Sequence, residues 1–315
     1  MKIAATGPVA PEAPPNGGFD EFIARSLARP GQSREFDGPG VRLHYLEWPN
    51  DGHSPLARPD APAAPPVLLL HGFLAHAHWW DFVAPWLAER HRVVALDFGG
   101  MGDSGHRGRY LATDFIAEIE AVVRHTGLAG CIAIGHSFGG RALLHACKAH
   151  PGLASRAIVV DSRLVAPTDP MGAFNQDWRP KKRYATEAEI LDRFVLRPDE
   201  PCPAPALRHM ARASAGREGD AWVWKFDEQI TRLFISGGEG PRDDAAALQG
   251  LATPVDLIYG EMSAVVNPAR AELLLRAVGA RRDAIVLPCG YHHLPVSQPQ
   301  PLLAALRALL ASPPT

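Results

Sequence analysis

Short runs of apolar residues alternate with segments of helical periodicity through most of the chain. Each run is four or five residues long, which is typical of strands buried on both faces of a sheet. The runs are Val67–Leu70, Val93–Leu96, Cys131–Ile134, Ala157–Val160, Val255–Tyr259, which is interrupted by Asp256, and Ala284–Leu287. Apolar residues recur at helical spacing in Phe115–Val123, Arg141–Ala149, Pro268–Ala277 and Leu302–Leu310. Strands that alternate with helices predict βαβ units and a mostly parallel sheet.

A different pattern precedes this alternation, and another interrupts it. Phe19–Leu27 has helical spacing, and Ser33–Phe36 and Val41–Trp48 predict two strands joined by a Gly/Pro turn. After the strand that ends at Val160 the alternation stops, and only short amphipathic pieces such as Glu187–Phe194 and Pro205–Ala213 remain. The interruption is typical of a cap inserted between two halves of a parallel sheet.

The distribution of proline supports a division of the chain into three parts. Twelve of the 30 prolines in the 315 residues precede Val67, so the N-terminal part contains tail and loop. We predict a Pro/Ala/Gly-rich N-terminal extension over 1–32, a core over 33–161 and 250–315, and a mainly helical cap over 162–249.

Charge and cysteine usage exclude several classes of protein. Lys and Arg number 32 and Asp and Glu 34, a net charge of −2, which gives no electrostatic basis for binding nucleic acid or an anionic membrane. No apolar run approaches the roughly 18 residues that a membrane-spanning helix needs. The four cysteines are widely spaced without a CxxC pair, so they predict neither a disulfide framework nor a zinc site. We expect a cytoplasmic protein that acts on a small molecule, and the sequence leaves its oligomeric state open.

One turn carries the strongest chemical signal in the sequence. The strand ending at Ile134 leads into Gly135-His136-Ser137-Phe138-Gly139 and then directly into a helix, a G-x-S-x-G motif in its strand–turn–helix context. Such a tight turn exposes the serine hydroxyl, and small residues two positions before and after it are required. Ser137 is therefore the candidate nucleophile. We expect the turn to direct the adjacent His136 away from that hydroxyl.

With this motif the chain resembles the α/β-hydrolase superfamily, and two further segments share the resemblance. Leu69-Leu70-His71-Gly72-Phe73 is similar to the His-Gly segment of that family, and Gly100-Met101-Gly102-Asp103-Ser104 is similar to its G-x-G-x-S loop after the fourth strand. The resemblance covers about residues 33–161 and 250–311. It implies an α/β-hydrolase fold, with an eight-stranded, mostly parallel sheet flanked by helices. It also implies an oxyanion hole formed by the backbone N–H groups of Phe73 and Phe138.

The loop after the fourth strand also fits a dinucleotide-binding pattern. Gly100 to Gly105 reads G-x-G-x-x-G, but a dinucleotide site needs the third glycine to open a helix at once. Helical periodicity begins only near Asp114, after a predicted N-cap at Thr113. We therefore expect no nucleotide cofactor.

The resemblance also locates the base and restricts the acid. The loop after the last strand places the family's catalytic histidine at His292, with His293 as the competitor. The loop that usually supplies the aspartate carries Ser263 at that position, which cannot provide a negative charge. Asp161, at the end of the sixth predicted strand, is the favoured acid because some relatives take their acid from that strand end. Glu261 is the alternative acid.

The predicted cap is mildly enriched in aromatic residues. They are Trp178, Trp222, Trp224 and Phe226. These side chains are expected either to wall an apolar acyl pocket or to pack the cap against the core. His76 and His78 have no supporting carboxylate or cysteine cluster in the sequence, so we expect no metal.

These residues predict a serine hydrolase of the carboxylesterase type. The substrate would be a small, largely apolar ester, thioester or lactone, cleaved through an acyl-enzyme on Ser137 by a Ser137–His292–Asp161 triad. Haloalkane dehalogenases and epoxide hydrolases of this fold attack with an aspartate, which a serine at this turn argues against. Two alternatives remain, a C–C bond hydrolase of the same fold and a ligand-binding protein without turnover.

Overall fold

The computed structural model describes residues 18–50, 64–169, 180–233 and 240–313, and the structural statements below concern those residues. Most of the predicted N-terminal extension, residues 1–17, lies outside them. So do residues 170–179 and 234–239 of the predicted cap, and with them Trp178.

In this part of the chain, helices alternate with strands as the apolar pattern predicts. The strands are β1 (Gln32–Gly38), β2 (Val41–Trp48), β3 (Val67–Leu70), β4 (Val93–Leu96), β5 (Cys131–His136), β6 (Ala154–Val160), β7 (Ala215–Glu218), β8 (Ala221–Trp224), β9 (Val255–Gly260) and β10 (Ile285–Leu287). The helices are α1 (Phe19–Leu27), α2 (Ala84–Leu87), α3 (Ala112–Thr126), α4 (Phe138–Ala149), α5 (Glu187–Leu191), α6 (Ala204–Ser214), α7 (Asp244–Ala247), α8 (Pro268–Ala277), α9 (Leu294–Ser297) and α10 (Pro299–Ala311). Two 3₁₀ turns cover Ala77–Trp80 and Glu228–Leu233.

Eight strands form one sheet in the order β1-β2-β4-β3-β5-β6-β9-β10. β2 pairs antiparallel with β1 and with β4, and the other pairs are parallel. The predicted eight-stranded, mostly parallel sheet flanked by helices is therefore confirmed. Because parallel strands end at the same edge, the loops after β3, β5, β6, β9 and β10 meet there.

The sheet is covered on both faces, which explains why its central strands are continuous apolar runs. Successive residues of a strand point to opposite faces. Leu68 and Leu70 of β3 pack in a cluster with residues of α3, α4 and α8. Val67 and Leu69 pack in a second cluster with residues of α1, α2 and α10. Both clusters are buried, and β3 and β4, which lie between them, consist of apolar residues only.

The helix predicted within the N-terminal extension is part of the packed structure. Phe22 of α1 is buried and stacks on Trp86 of α2, with ring centroids 5.2 Å apart. The indole N–H of Trp86 donates a hydrogen bond to Ser26 Oγ at 2.8 Å. Residues 19–27 therefore cover one face of the sheet rather than forming a tail.

Residues 162–249, between β6 and β9, are here called the insert. The insert contains helices α5, α6 and α7 and also a hairpin of β7 and β8, in which Ala215 pairs with Trp224 and Glu218 with Ala221. The sequence patterns did not predict this hairpin, because its strands have four residues each and lack an alternating apolar face. Trp224 packs on Phe194 of the insert, with ring centroids 5.8 Å apart. The division into core and cap at these boundaries stays a prediction.

The start of α3 corrects one expectation. The helix begins at Ala112 with Leu111 as N-cap, and the Asp114 carboxylate accepts a hydrogen bond from the Leu111 N–H at 2.7 Å. The predicted N-cap at Thr113 is wrong, because Asp114 reaches back across the first turn and begins the helix earlier. The start of α3 still lies well beyond Gly105, so the glycine-rich loop does not open a helix as a dinucleotide site requires.

Candidate active site

Ser137 lies at the junction of β5 and α4 with a strained backbone. Its φ of 51° and ψ of −118° are values that residues with a side chain seldom adopt. The turn is held by a hydrogen bond from the Ser137 N–H to the Val160 carbonyl at 2.9 Å. A Cβ atom at Gly135 would lie 2.6 Å from the Gly139 carbonyl oxygen, and one at Gly139 would lie 2.5 Å from the His71 carbonyl oxygen. The two glycines of the motif are therefore required by close backbone approach.

Asp161 and His292 meet at the same edge of the sheet. Asp161 follows β6, is fully buried and has a φ of 44°. His292 lies in the loop between β10 and α9, and its Nδ1 is 2.7 Å from Asp161 Oδ1. The structure thus brings the favoured acid into hydrogen-bond contact with the expected base.

Ser263 occupies the position where the family resemblance implied an aspartate, and its hydroxyl contacts Asp161. Ser263 Oγ donates to Asp161 Oδ1 at 2.6 Å, and the Gly260 N–H donates to Asp161 Oδ2 at 2.9 Å. The loop after β9 therefore contributes donors that orient a carboxylate from the neighbouring strand. Glu261 of the same loop accepts a hydrogen bond from the Cys289 N–H at 2.9 Å, so this carboxylate orients backbone in the loop after β10.

The backbone of His292 is held from two sides. His136 Nε2 is 2.9 Å from the His292 carbonyl oxygen. Burial, together with the neighbouring His292 and His293 rings, holds the pKa of His136 well below its ordinary value. A neutral ring that faces a carbonyl must donate, so Nε2 carries the proton. On the other side the His292 N–H donates to the carboxylate of Glu200, a residue of the insert, at 2.9 Å.

Sequence reasoning missed both of these contacts. His136 was expected to point away from the Ser137 hydroxyl, and its hydrogen bond to His292, 156 residues later, could not be anticipated. Glu200 follows Pro198 and Asp199 in a segment without periodicity. No local pattern distinguishes it from a solvated carboxylate. Burial raises the pKa of the Glu200 carboxyl, whereas hydrogen bonds from Ser297, His293 and His292 oppose this rise.

His293, the competitor for the role of base, is packed beside the site. Its ring lies 4.8 Å from that of His292 and 5.0 Å from that of Trp79, measured between centroids. Burial, and secondarily the nearby His292, lowers the pKa of His293 to about 3. His293 is therefore a neutral buried side chain at ordinary pH.

Phe73 and Phe138 occupy equivalent positions after the adjacent strands β3 and β5. β3 and β5 pair with Leu70 opposite Gly135, and each phenylalanine lies three residues beyond its paired position. Their rings are 5.8 Å apart between centroids. Phe138 is the first residue of α4, where N–H groups have no carbonyl partner within the helix. After Phe73, Leu74 adopts a φ of 55° and its N–H donates to Met101 Sδ at 3.1 Å.

A buried carboxylate fixes the loops around this edge. Asp97 accepts hydrogen bonds from the N–H groups of Ala77 at 2.5 Å and Asp103 at 2.9 Å, and its Oδ2 is 2.7 Å from His44 Nδ1. Burial raises the pKa of Asp97, but the hydrogen bond and charge of His44 outweigh this and hold it well below its usual range. His71 accepts from the Phe98 N–H at 3.1 Å, so the histidine of the His-Gly segment has a structural contact.

Three groups in the described chain have ligand atoms close enough to hold a metal ion. They are His136 with His292 and His293; His78 with Asp81 and His209; and His44 with Asp97 and Asp103. In the second group Asp81 Oδ2 is 2.9 Å from His78 Nδ1 and 2.8 Å from His209 Nε2. Hydrogen bonds account for these contacts, which join the 3₁₀ turn at Ala77–Trp80 to α6 of the insert. No sequence pattern indicates that Asp81 and His209 meet beside His78.

Comparison with known proteins agrees with the fold. A family model described as the alpha/beta hydrolase fold matches residues 65–198. Human Epoxide hydrolase 4 is 29% identical over 125 residues, which cover 39% of this chain and 32% of that protein. Esterase Rv0045c of Mycobacterium tuberculosis is 26% identical over 302 residues, which cover 93% of this chain and 96% of the esterase. The chain thus matches about a third of the first relative but nearly the whole of the second.

Solved structures give the same result for the architecture. The crystal structure of Esterase Rv0045c superposes with a TM-score of 0.67 at 21% identity, covering 94% of this chain and 99% of that one. The crystal structure of E-2-(Acetamidomethylene)succinate Hydrolase superposes with a TM-score of 0.72 at 20% identity, covering 90% of this chain and 100% of that one.

The topology, the serine turn and the family model together define an α/β-hydrolase fold. The chain has the fold of the α/β-hydrolase superfamily. In the part of the chain that the structure describes, no helix is both long and apolar enough to cross a membrane.

Proposed function

We propose that this protein is a serine hydrolase that cleaves an ester-type bond of a small, largely apolar substrate through an acyl-enzyme on Ser137. The observation that carries the proposal is the convergence of Ser137, His292 and Asp161 at one edge of the sheet. Ser137 is presented on a strained turn, and His292 is joined to Asp161 at 2.7 Å. No metal or cofactor is needed for this chemistry.

In the first half of the reaction, Ser137 Oγ attacks the substrate carbonyl carbon while His292 Nε2 accepts the hydroxyl proton. The backbone N–H groups of Phe73 and Phe138 stabilise the negative charge that develops on the carbonyl oxygen. The tetrahedral intermediate collapses with cleavage of the ester C–O bond. His292 then returns the proton to the leaving alcohol.

In the second half, water replaces the alcohol. His292 accepts a proton from the water as its oxygen attacks the acyl carbon, and the second tetrahedral intermediate releases the acid and restores Ser137. Asp161 orients His292 through the Nδ1 side and stabilises its charged form. The carboxylate of Asp161 is itself oriented by Ser263 and Gly260.

The nature of the nucleophile favours acyl transfer over epoxide opening. Some relatives are named epoxide hydrolases, whereas another is named an esterase. A serine hydroxyl activated by a histidine, with backbone N–H groups directed at a developing oxyanion, suits a carbonyl substrate. Residues 162–249 would act as the cap that selects the acyl group.

A panel of p-nitrophenyl esters, thioesters and lactones of graded acyl length tests the proposal. We expect the wild type to hydrolyse at least one of them, Ser137→Ala to lose that activity, and a fluorophosphonate probe to label Ser137. Ser155→Ala is the matched control, because its hydroxyl bonds to the Cys131 carbonyl at 3.2 Å near the opposite edge of the sheet.

Each alternative has its own outcome. Cleavage of vinylogous diketones, without cleavage of any ester-type substrate, would replace the proposal by C–C bond hydrolysis. Absence of both turnover and labelling in the wild type would favour a ligand-binding protein.

A further inference from the structure

We propose that Glu200 of the insert is a positioning residue that fixes the backbone of His292, so that the hydrolytic site is complete only when the insert is docked on the sheet. This inference rests on the proposed function, since it concerns the geometry of the proposed base. Glu200 lies between α5 and α6, 92 residues before His292 in the chain.

The carboxylate of Glu200 binds two consecutive backbone N–H groups. The His292 N–H donates to Oε2 at 2.9 Å, and the His293 N–H lies 3.1 Å from both Oε1 and Oε2. Hydrogen bonds from N–H groups to an ionised carboxylate are stronger than those between neutral groups. A single side chain therefore satisfies both donors of the segment that carries the base.

These bonds complete the fixation of His292. Its ring contacts Asp161, its carbonyl accepts from His136, and its N–H donates to Glu200. Asp161 and His136 belong to the sheet strands or their ends, whereas Glu200 belongs to the insert. The position of His292 thus depends on two anchors in the core and one outside it.

Loss of the Glu200 contact would leave His292 in the site but displace its ring from the position that catalysis requires. In Glu200→Gln the charge is lost and one oxygen is replaced by an NH2 donor, so the two N–H groups of a mostly buried loop are left with a single neutral acceptor, and the loop shifts to find new partners. A base that moves by about 1 Å can cost about 100-fold in rate. Substrate contacts elsewhere in the site are unchanged, so the loss falls on kcat rather than on KM.

The test compares Glu200→Gln and Glu200→Asp with a matched carboxylate of the insert. Glu218→Gln is the control, because Glu218 pairs with Lys181 at 2.7 Å and Arg183 at 3.1 Å on the exposed hairpin. We expect Glu200→Gln to lower kcat about 10- to 100-fold with KM changed less than about twofold. Glu200→Asp, which keeps the charge, should retain more activity than Glu200→Gln, and Glu218→Gln should match the wild type.

A proton resonance and the labelling of Ser137 distinguish a positioning role of Glu200 from misfolding of the variant and from failure of the proposed function. The low-field proton resonance of the His292–Asp161 hydrogen bond, assigned by its loss in Asp161→Asn, should shift or broaden in Glu200→Gln and stay unchanged in Glu218→Gln. Unchanged kcat and an unchanged resonance in both Glu200 variants would overturn the inference. A wild type that is neither active nor labelled at Ser137 would instead overturn the proposed function, and the resonance would still decide whether Glu200 positions His292.

Discussion

The sheet and the insert contribute to the same site by different physical means. The sheet presents Ser137 and Asp161 at strand ends, both with positive φ, and its parallel register brings the ends together. The insert contributes Glu200 through a side chain that reaches backbone N–H groups from outside. Local backbone strain can persist only where the surroundings are rigid, so the sheet can carry it, whereas the insert relies on polar contacts. The first kind of contribution is visible as a motif in the sequence, and the second is not.

The largest effect should come from the proposed acid at the end of β6. Asp161→Asn is expected to lower kcat/KM by up to about 10⁴-fold, because an amide no longer stabilises the charged form of His292. The matched control is Glu261→Gln, which should change activity little, since Glu261 contacts the Cys289 N–H. Hydrolysis assays on both variants decide the assignment, and the reverse ranking would identify Glu261 as the acid.

A second comparison concerns two glycines, one in each region. Gly139→Ala places a Cβ 2.5 Å from the His71 carbonyl oxygen and 2.7 Å from that of Leu70, which are backbone atoms of the core. Gly216→Ala in the hairpin places its Cβ 3.2 Å from Lys225 Cγ, part of a flexible side chain. We expect a loss of about 3 kcal/mol for the first variant, or roughly 6 °C in Tm, and less than about 0.5 kcal/mol for the second. Thermal unfolding of both variants measures the contrast, and equal losses would show that the turn is as adaptable as the hairpin.

The loss of folding stability at acidic pH should also originate in the core, at His293 in the loop after β10. The pKa of buried His293 is lowered from 6.5 to about 3 by burial and by His292. In the unfolded chain the ring binds a proton below about pH 6.5, but in the folded protein only near pH 3. The unfolded state therefore binds more protons in this window, and stability falls as the pH decreases from about 6.5 towards 3. Each pKa unit corresponds to about 1.4 kcal/mol, so His293 accounts for a few kcal/mol.

His293→Asn tests this assignment, because asparagine does not titrate. Its Tm should fall less steeply with acidification than that of the wild type, although it starts lower at neutral pH. His150→Asn serves as the control, since that side chain is 39% exposed and lies 3.7 Å from the equally exposed carboxylate of Glu120. Parallel pH profiles for His293→Asn and the wild type would contradict the assignment.

The sheet was predictable because its determinants are local. The apolar runs located β3 to β6 and β9, and the G-x-S-x-G spacing located the turn at Ser137. At the start of α3, the side-chain type favoured Thr113 as the N-cap. The N-cap is instead Leu111, whose N–H donates to Asp114, so the side-chain type alone was misleading. The contacts of Glu200, His136 and His209 join residues 92, 156 and 128 positions away from their partners. The contacts of Glu200 and His209 are set by the packing of the insert on the core, and that of His136 by the packing of two core segments on each other. Single-sequence patterns contain no information about either kind of packing.

The smallest effect that we expect concerns the docking of the insert itself. Tyr110, in the loop before α3, donates from its hydroxyl to Asp227 Oδ2 at 2.7 Å and accepts from the Arg107 N–H at 3.0 Å. Tyr110→Phe removes both bonds and leaves a mostly buried carboxylate short of a donor, at a cost of about 2 kcal/mol. Because the Tyr110–Asp227 bond joins insert to core, the loss should appear as local opening rather than global unfolding.

Limited proteolysis is therefore the appropriate measurement. Cleavage within the insert should accelerate roughly 10-fold or more in Tyr110→Phe, the factor that 1.4 kcal/mol or more produces in an opening equilibrium, while Tm changes by only a few degrees. Glu218→Gln, which alters an exposed ion pair worth about 0–1 kcal/mol, should leave the cleavage rate nearly unchanged. Equal acceleration in both variants would mean that the hairpin ion pairs, and not the buried bond to the core, hold the insert in place. Acceleration in Tyr110→Phe alone, together with a partial loss of kcat, would show that opening of the insert lowers catalysis. The reason is that an open insert withdraws Glu200, the acceptor of the His292 N–H.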